Sequence, residues 1–373
     1  MARDWAHIDD ERRAVRARRG HPDGPDGSRR GGRTDRGTAL ATPRSSGRRR
    51  HRTRRGAAVP IRGGTSDVAP DPTGVRAALA GHEVRRVGFG AARLTAGDGW
   101  GRLADPEPAR RLLRDALDAG YDLVDTADSL GPGVSEQIVG EVVGDRDDVL
   151  VATKVGMLRP APGRWGILGH PDYLRQQVHT SLLRLRRERI DLLYLHRIDP
   201  AHPVADQLGA LQELCDAGHI GAIGVSEPSA EQLDEVLAIE RVAAVQSLFN
   251  VAATGNAPIV RRLAAEGIPF VAYWPLIGRG LPRDVYERVF AVLARAGDEL
   301  DASPARVGLA WILAQAPTTF AVAGSRDPAH LADNLRADEL VLDPARADRL
   351  AADVANALDG FTFDPRYDRE HER

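Results

Sequence analysis

Short apolar runs alternate with helical patterns along most of this chain, and this alternation restricts the possible folds more than any other feature. An apolar run predicts a strand that is buried on both faces, whereas apolar residues spaced three and four apart predict an amphipathic helix. The predicted strands span residues 84–91, 121–125, 149–154, 190–196, 220–225, 243–250, 269–274 and 320–323. The predicted helices span residues 107–119, 135–143, 171–185, 204–217, 229–239, 257–266, 304–315 and 328–335.

A helix between each pair of strands indicates parallel strands joined by right-handed crossovers. Eight such units predict one TIM (β/α)8 barrel, which typically needs about 250 residues, and the chain has 373. A doubly wound open sheet is the alternative. One further helix is predicted at residues 344–358, after the last unit.

Residues 1–75 differ from the rest of the chain in charge and composition. They hold 18 Arg against 9 acidic residues, a net charge of +9, whereas the remainder holds 33 basic against 44 acidic residues, a net charge of −11. Arg, Gly, Pro, Asp and Ser dominate without an apolar period, so the segment cannot bury enough apolar surface to offset chain entropy. We therefore predict a disordered Arg-rich extension, or a translation start assigned too early, followed by a barrel domain at 76–373. A nucleic-acid-binding arm is the disfavoured alternative, since no aromatic residue or folded element accompanies the run of arginines at 48–55.

Composition excludes several classes of protein. No run approaches the ~18 apolar residues that a membrane span requires, and no secretory signal pattern opens the chain. Cys215 is the only cysteine, which excludes intrachain disulfides and cysteine-built metal sites. We predict a soluble, cytoplasmic protein without a metal centre.

Three polar residues stand where predicted strands end: Asp125, Lys154 and His196 on the second, third and fourth strands. In a TIM barrel the carboxyl ends of the strands meet at one face, so these side chains should converge. A single strand-end Asp is usually a cap, and a single His is usually structural. Lys154 is, however, the only lysine among 51 basic residues. An amine responds to burial and neighbouring charge more readily than a guanidinium does, which favours a catalytic role.

The segment from Asp125 to Gly131 reads Asp-Thr-Ala-Asp-Ser-Leu-Gly, and Ser135-Glu136 opens the next helix. It resembles the aldo-keto reductase family, whose members usually have Asp-Thr-Ala-x-x-Tyr-Gly there. The resemblance implies that Asp125 pairs with Lys154 and that His196 orients the substrate. It also implies a tyrosine proton donor at the position of Leu130, where this chain has no ionisable group.

The resemblance further implies an NADP(H) site at the same end of the barrel. Glu227 differs from the usual Asn, and Arg326 could clamp the 2′-phosphate through paired donors. The implied contacts are Ser226, Glu227 and Gln246 with the carboxamide, Tyr273 stacked on the nicotinamide ring, and Gly324, Ser325, Arg326, Asp333 and Asn334 with the phosphate and adenine.

The missing tyrosine leaves the reaction open. An NADP-dependent reductase acting on a small or moderately sized carbonyl metabolite would need another acid, either His196 or a water held by Lys154. The alternatives are a lyase or isomerase that uses Asp125, Lys154 and His196 for proton transfer, and a catalytically silent NADP-binding protein. Phe361, Phe363 and Tyr367 are expected either to border the substrate site or to pin the tail to the barrel. The loop at residues 158–169 is expected to carry specificity.

Overall fold

The computed structural model describes residues 74–96, 99–277 and 280–362. Within these ranges, eight parallel strands pair in chain order, and the last pairs with the first to close a barrel. We number them β1 to β8: Val87–Gly90, Leu123–Asp125, Leu150–Val155, Ile190–Leu195, Ile220–Ser226, Ala244–Leu248, Phe270–Tyr273 and Thr319–Ala323. The TIM (β/α)8 barrel that the alternation of patterns predicts is thereby confirmed.

Ten α-helices occur in the described ranges, and most of them surround the barrel. We number them α1 to α10: Glu107–Asp118, Val134–Val142, Pro171–Leu185, Val204–Asp216, Ala230–Ile239, Ala257–Glu266, Arg283–Leu300, Pro304–Leu313, Pro328–Leu335 and Pro344–Leu358. Most of them have their buried apolar residues on one face, which packs into the outer apolar cluster. Helix α8 is the exception, since its residues from Arg306 to Leu313 are all buried. None of the helices that the structure describes is long and apolar enough to cross a membrane.

The amino end of the barrel is closed by an antiparallel hairpin of strands Arg76–Leu79 and His82–Arg85. Leu79 from this hairpin joins the apolar cluster that fills the barrel interior. Immediately before β1 in the chain, the buried Arg86 guanidinium donates to the carbonyl oxygens of Gly74 (3.2 Å), Ala316 (2.7 Å), Thr319 (3.0 Å) and Leu313. Burial lowers the pKa of Arg86 to about 10, so it remains charged at neutral pH. This cation ties the hairpin to β8 and to the end of α8.

Three departures from the predicted elements have local causes. The first predicted strand, 84–91, is divided between the closing hairpin and β1, because Arg86 turns toward carbonyl oxygens. The predicted loop 158–169 includes a second antiparallel hairpin, of strands Met157–Ala161 and Arg164–Ile167. Helix α7 is absent from the predicted elements, although helical spacing relates its buried residues Val285, Val289, Val292 and Leu293.

The predicted terminal helix 344–358 matches α10. It contacts α7, where the Arg288 side chain donates to the Ala357 carbonyl oxygen at 2.8 Å. The last helix therefore packs against the helix that the sequence patterns did not predict.

Residues 1–73 lie outside the described ranges, and so do Phe363 and Tyr367. The disorder of the Arg-rich extension and the domain boundary at residue 76 therefore stay predictions. Phe361 is described, and it is partly buried against the outer apolar cluster. For this one residue, the contact favours the role of pinning the tail to the barrel.

Candidate active site

A buried ion pair lies at the carboxyl end of the barrel. Asp125 is the last residue of β2, and Lys154 lies one residue before the end of β3. The Lys154 Nζ donates to Asp125 Oδ1 at 2.6 Å and to the Thr126 carbonyl oxygen at 2.7 Å. Both side chains are less than 10% exposed. The two groups converge because their parallel strands are neighbours in the barrel, as predicted from the strand ends.

Two further side chains extend this pair inside the barrel. Gln246 on β6 donates from Nε2 to Asp125 Oδ2 at 2.8 Å, so both carboxylate oxygens are hydrogen-bonded. Gln246 also hydrogen-bonds the phenol of Tyr194, whose ring centroid lies 5.7 Å from the Lys154 Nζ. Burial, and secondarily the charge of Asp125, raise the pKa of Tyr194 well above its ordinary value. The phenol is therefore neutral, and the four residues form one connected polar cluster.

Sequence reasoning missed Tyr194, which it treated only as a strand residue. The signal was available, because side chains two residues apart on a strand face the same side. Tyr194 stands two residues before His196, so it shares the face of a predicted active-site residue.

His196 follows β4, and its backbone N–H donates to the Val155 carbonyl at 2.8 Å, which places it beside the end of β3. Burial lowers the pKa of His196 well below its ordinary value, and the positive charges of Arg197 and Lys154 lower it further. Its Nδ1 atom is buried, with no hydrogen-bond partner among the described residues. A neutral imidazole suits hydrogen bonding to a ligand better than it suits proton donation.

Leu130 lies in the loop after β2 and is partly exposed. The loop is compact: the Leu130 N–H donates to the Ala127 carbonyl at 3.2 Å, and the Leu130 carbonyl accepts from the Ser135 N–H at 3.1 Å. Because its side chain is a hydrocarbon, position 130 contributes no acid to the site. The Lys154 ammonium, with three donors, uses two of them on the partners described above.

The predicted carboxamide contacts lie at the ends of β5 and β6. Ser226, the last residue of β5, is buried, and its Oγ lies 3.4 Å from a donor nitrogen of Arg197. Glu227 has a left-handed backbone, φ 52°, and its Oε1 accepts from the Leu248 N–H at 2.5 Å. The Glu227 N–H donates to the Gln246 carbonyl at 2.9 Å. The structure thus brings Ser226, Glu227 and Gln246 to one edge of the mouth, with the carboxylate directed toward β6.

The predicted ring-stacking and phosphate residues follow the last two strands. Tyr273 ends β7 and is partly exposed, with the Trp274 ring edge-on at 5.8 Å. Gly324 follows β8, and a Cβ there would overlap the Gly90 carbonyl oxygen, so only glycine fits. Ser325 accepts from the Asp327 N–H at 3.0 Å, while the exposed Arg326 reaches the Thr95 carbonyl at 3.4 Å. Arg326 therefore lies near the loop after β1.

The adjacent residues Asp333 and Asn334 on α9 have different surroundings. Asp333 accepts a hydrogen bond from the Ser303 hydroxyl, and its carboxylate lies 3.9 Å from the Arg306 Nε, in a surface recess at the start of α8. Asn334 is buried, and its Nδ2 has no partner within the described ranges. Of the two predicted cofactor contacts on α9, Asn334 thus has the free donor, whereas Asp333 already has partners.

The fold and the site together are a closed (β/α)8 barrel with a buried Asp–Lys pair and a histidine at its carboxyl end. The sequence profile of the Aldo/keto reductase family matches residues 86–353, and the chain belongs to that family. It is 34% identical over 255 residues to an uncharacterized oxidoreductase of Schizosaccharomyces pombe, covering 68% of this chain and 81% of that protein. It is 30% identical over 286 residues to pyridoxine 4-dehydrogenase of Escherichia coli, covering 75% of this chain and 95% of that protein.

Solved structures have the same fold. The glycerol dehydrogenase of Gluconobacter oxydans matches with a TM-score of 0.68 at 25% identity, covering 78% of this chain and 97% of that one. An aldo/keto reductase of Klebsiella pneumoniae, solved with NADP and acetate, matches with a TM-score of 0.64 at 22% identity, over 74% of this chain and 94% of that one. This chain is therefore an oxidoreductase of the aldo/keto reductase type, as its motifs predict.

Proposed function

We propose that this protein reduces a carbonyl group on a small or moderately sized metabolite with NADPH, and that Lys154 supplies the proton that a tyrosine usually supplies. The observation that carries the proposal is the arrangement of the Lys154 ammonium. Asp125 and the Thr126 carbonyl hold two of its donors, which leaves the third for a substrate oxygen or for a water molecule.

The residues at the mouth fit the cofactor. When bound, NADPH supplies the hydride. Gln246, Ser226 and Glu227 would hold the carboxamide; a carboxylate at position 227 can only accept, which suits the amino group of a carboxamide. Tyr273 would cover the nicotinamide ring. The unpartnered Nδ2 of Asn334 is a buried donor that a ligand would satisfy.

The phosphate end would be held by the loop after β8. Gly324 allows the close approach of that loop to β1, and Arg326 is exposed beside it. A guanidinium can form paired hydrogen bonds with a phosphate, which supports a preference for NADPH over NADH.

The choice of acid follows from the charges. Leu130 has no proton to give, and the neutral His196, whose pKa is lowered, is better suited to orient the carbonyl oxygen. Lys154 carries both a positive charge and a transferable proton beside the expected position of the carbonyl oxygen. The charge stabilises the developing alkoxide, and proton transfer then neutralises it.

The test is a screen of aldehydes, ketones and quinones with NADPH, following the loss of its absorbance. Lys154→Met should abolish turnover while the NADPH dissociation constant stays within about threefold, since the proposed cofactor contacts are other residues. Lys154→Arg is the matched control, because arginine keeps the charge but does not release a proton. Activity in Lys154→Arg equal to that of the wild type would refute the role of Lys154 as acid.

A second candidate is proton transfer without hydride, as in a lyase or isomerase, and the leucine at position 130 favours it. The same residues would then move a proton on a carbonyl substrate, and turnover would not consume NADPH. Exchange of substrate hydrogen with deuterated solvent in the absence of cofactor, lost in Lys154→Met, would support this candidate. If the protein binds NADPH but catalyses neither carbonyl reduction nor proton transfer, the third alternative, a catalytically silent NADP-binding protein, is supported.

A further inference from the structure

One arginine contacts the loops that follow three neighbouring barrel strands. Arg159 stands on the hairpin after β3 and is buried. One of its terminal nitrogens lies 3.2 Å from the Gly99 carbonyl, in the loop after β1, and 3.2 Å from the Ser129 carbonyl, in the loop after β2. A single guanidinium thus bridges all three loops on one side of the mouth.

Two indole rings enclose the same guanidinium. Its carbon lies 3.7 Å from the ring centroid of Trp165, on the second strand of the hairpin, and 5.4 Å from that of Trp100. Both distances are within the range of cation–π attraction, which strengthens when the cation is removed from water. The planar group can stack and donate hydrogen bonds at the same time, which an ammonium cannot do.

Backbone pairing completes the connection around position 130. The Gly131 N–H donates to the Gly99 carbonyl at 3.1 Å, and the Gly131 carbonyl accepts from the Gly101 N–H at 3.0 Å. Gly131 has a φ of 91°, and a Cβ there would lie 2.5 Å from the Val134 Cβ, so a side chain does not fit. Leu130 is therefore held on one side through Ser129 and on the other through Gly131.

We propose that Arg159 is a positioning residue for the reaction: it fixes the loop that carries position 130 beside Lys154. The reason is specific to this chain and rests on the proposed function. A tyrosine at position 130 could anchor its own loop through a hydrogen bond to Lys154, whereas leucine offers no polar contact. The location of the loop then depends on Arg159 and on the Gly99–Gly131 pairing. The same contacts control how much water reaches Lys154, the proposed proton donor.

The test uses Arg159→Lys, which keeps the charge but loses the planar fork. Arg164→Lys is the matched control, since Arg164 is exposed on the same hairpin. We expect Arg159→Lys to lower kcat by about tenfold or more, because small displacements at a reacting centre are costly, with NADPH affinity unchanged within about twofold. Arg164→Lys should leave both unchanged. An unaltered kcat in Arg159→Lys would overturn the proposal. A fall in kcat accompanied by comparable losses of NADPH affinity and thermal stability would overturn it as well.

A double substitution separates positioning from general support of the fold. In the Leu130→Tyr background the phenol can anchor the loop to Lys154, so Arg159→Lys should cost several-fold less in kcat than it does in the wild type. Equal losses in the two backgrounds would show that Arg159 only supports the fold.

A second measurement does not depend on any activity. Hydrogen exchange in the peptide covering residues 126–135 should accelerate by about tenfold in Arg159→Lys and not in Arg164→Lys, since local opening sets exchange rates. If no variant consumes NADPH but exchange responds as expected, the proposed function fails while the loop contact stands. Unchanged exchange overturns the role of Arg159 whatever the activity.

Discussion

Replacing Leu130 by tyrosine would add the phenol that this site lacks. Leu130 is partly exposed in a loop, so a larger ring can extend toward the mouth without overpacking the core. The Lys154 ammonium has a donor remaining after Asp125 and the Thr126 carbonyl, and it can point at the new oxygen. A positive charge within hydrogen-bond distance lowers a phenol pKa by stabilising phenolate. We therefore expect the substitution to place an activated acid beside the proposed reacting carbonyl.

The expected gain is set by acid catalysis. A positioned general acid contributes about 10² to 10⁴ in rate, and Lys154 already supplies part of that in the wild type. We therefore expect kcat for carbonyl reduction to rise by about 10- to 100-fold, a decrease in the activation free energy of the reaction of about 1.4 to 2.7 kcal/mol. The assay is the steady-state rate of NADPH consumption with the best carbonyl from the screen, measured across pH.

Leu130→Phe is the matched control, because it adds the ring without the hydroxyl. Its rate should stay near that of the wild type, so the difference between the two variants isolates the proton. If phenylalanine and tyrosine give the same rate, any gain comes from packing. Loss of a native activity in both variants, with no reductase activity gained, would indicate that Leu130 lines an apolar pocket for another reaction.

Three further predictions test the cofactor site, the barrel closure and the charge of the histidine. Arg326→Ala should weaken NADPH binding by about 1.5 to 3 kcal/mol with little effect on NADH, as for a lost charged hydrogen bond, measured by fluorescence titration; equal losses would make Arg326 structural. Arg86→Met should lower the free energy of unfolding by about 3 kcal/mol or more in urea titrations, because four carbonyl oxygens lose their donor. The control Arg295→Met, at an exposed position, should change it by less than about 0.5 kcal/mol. Since the pKa of His196 is lowered, its imidazole is already neutral at the usual histidine pKa, and kcat/KM should show no inflection near about pH 6.5. An inflection there that disappears in His196→Gln would contradict the neutral state.

The parts of the fold and site that sequence predicts are those with a local or periodic cause. Strands that are apolar along their length and helices with one apolar face give the barrel, and parallel strands bring Asp125 and Lys154 together at their carboxyl ends. The closing hairpin lacked such a signal, because its strands have four residues each and mix charged with apolar side chains. Spacing along the chain also could not show where long polar side chains point. Glu227 turns to the Leu248 N–H, and Asp333 turns to Ser303, 30 positions earlier in the chain.

The polar cluster explains how the site accommodates a leucine at position 130. A buried ammonium is costly unless its donors are satisfied, and removing one partner of a buried pair usually destabilises a protein. Here Asp125 and the Thr126 carbonyl accept from two of the three Lys154 donors, and Gln246 holds the second oxygen of Asp125, so none of these contacts involves residue 130. The identity of residue 130 is therefore separate from the stability of the ion pair. Leu130→Tyr should change the rate of carbonyl reduction while leaving the melting temperature within a few degrees of the wild type, since surface and loop substitutions usually change stability by less than about 0.5 kcal/mol. A large stabilisation by tyrosine would instead show that Lys154 is strained or unsatisfied in the wild-type protein.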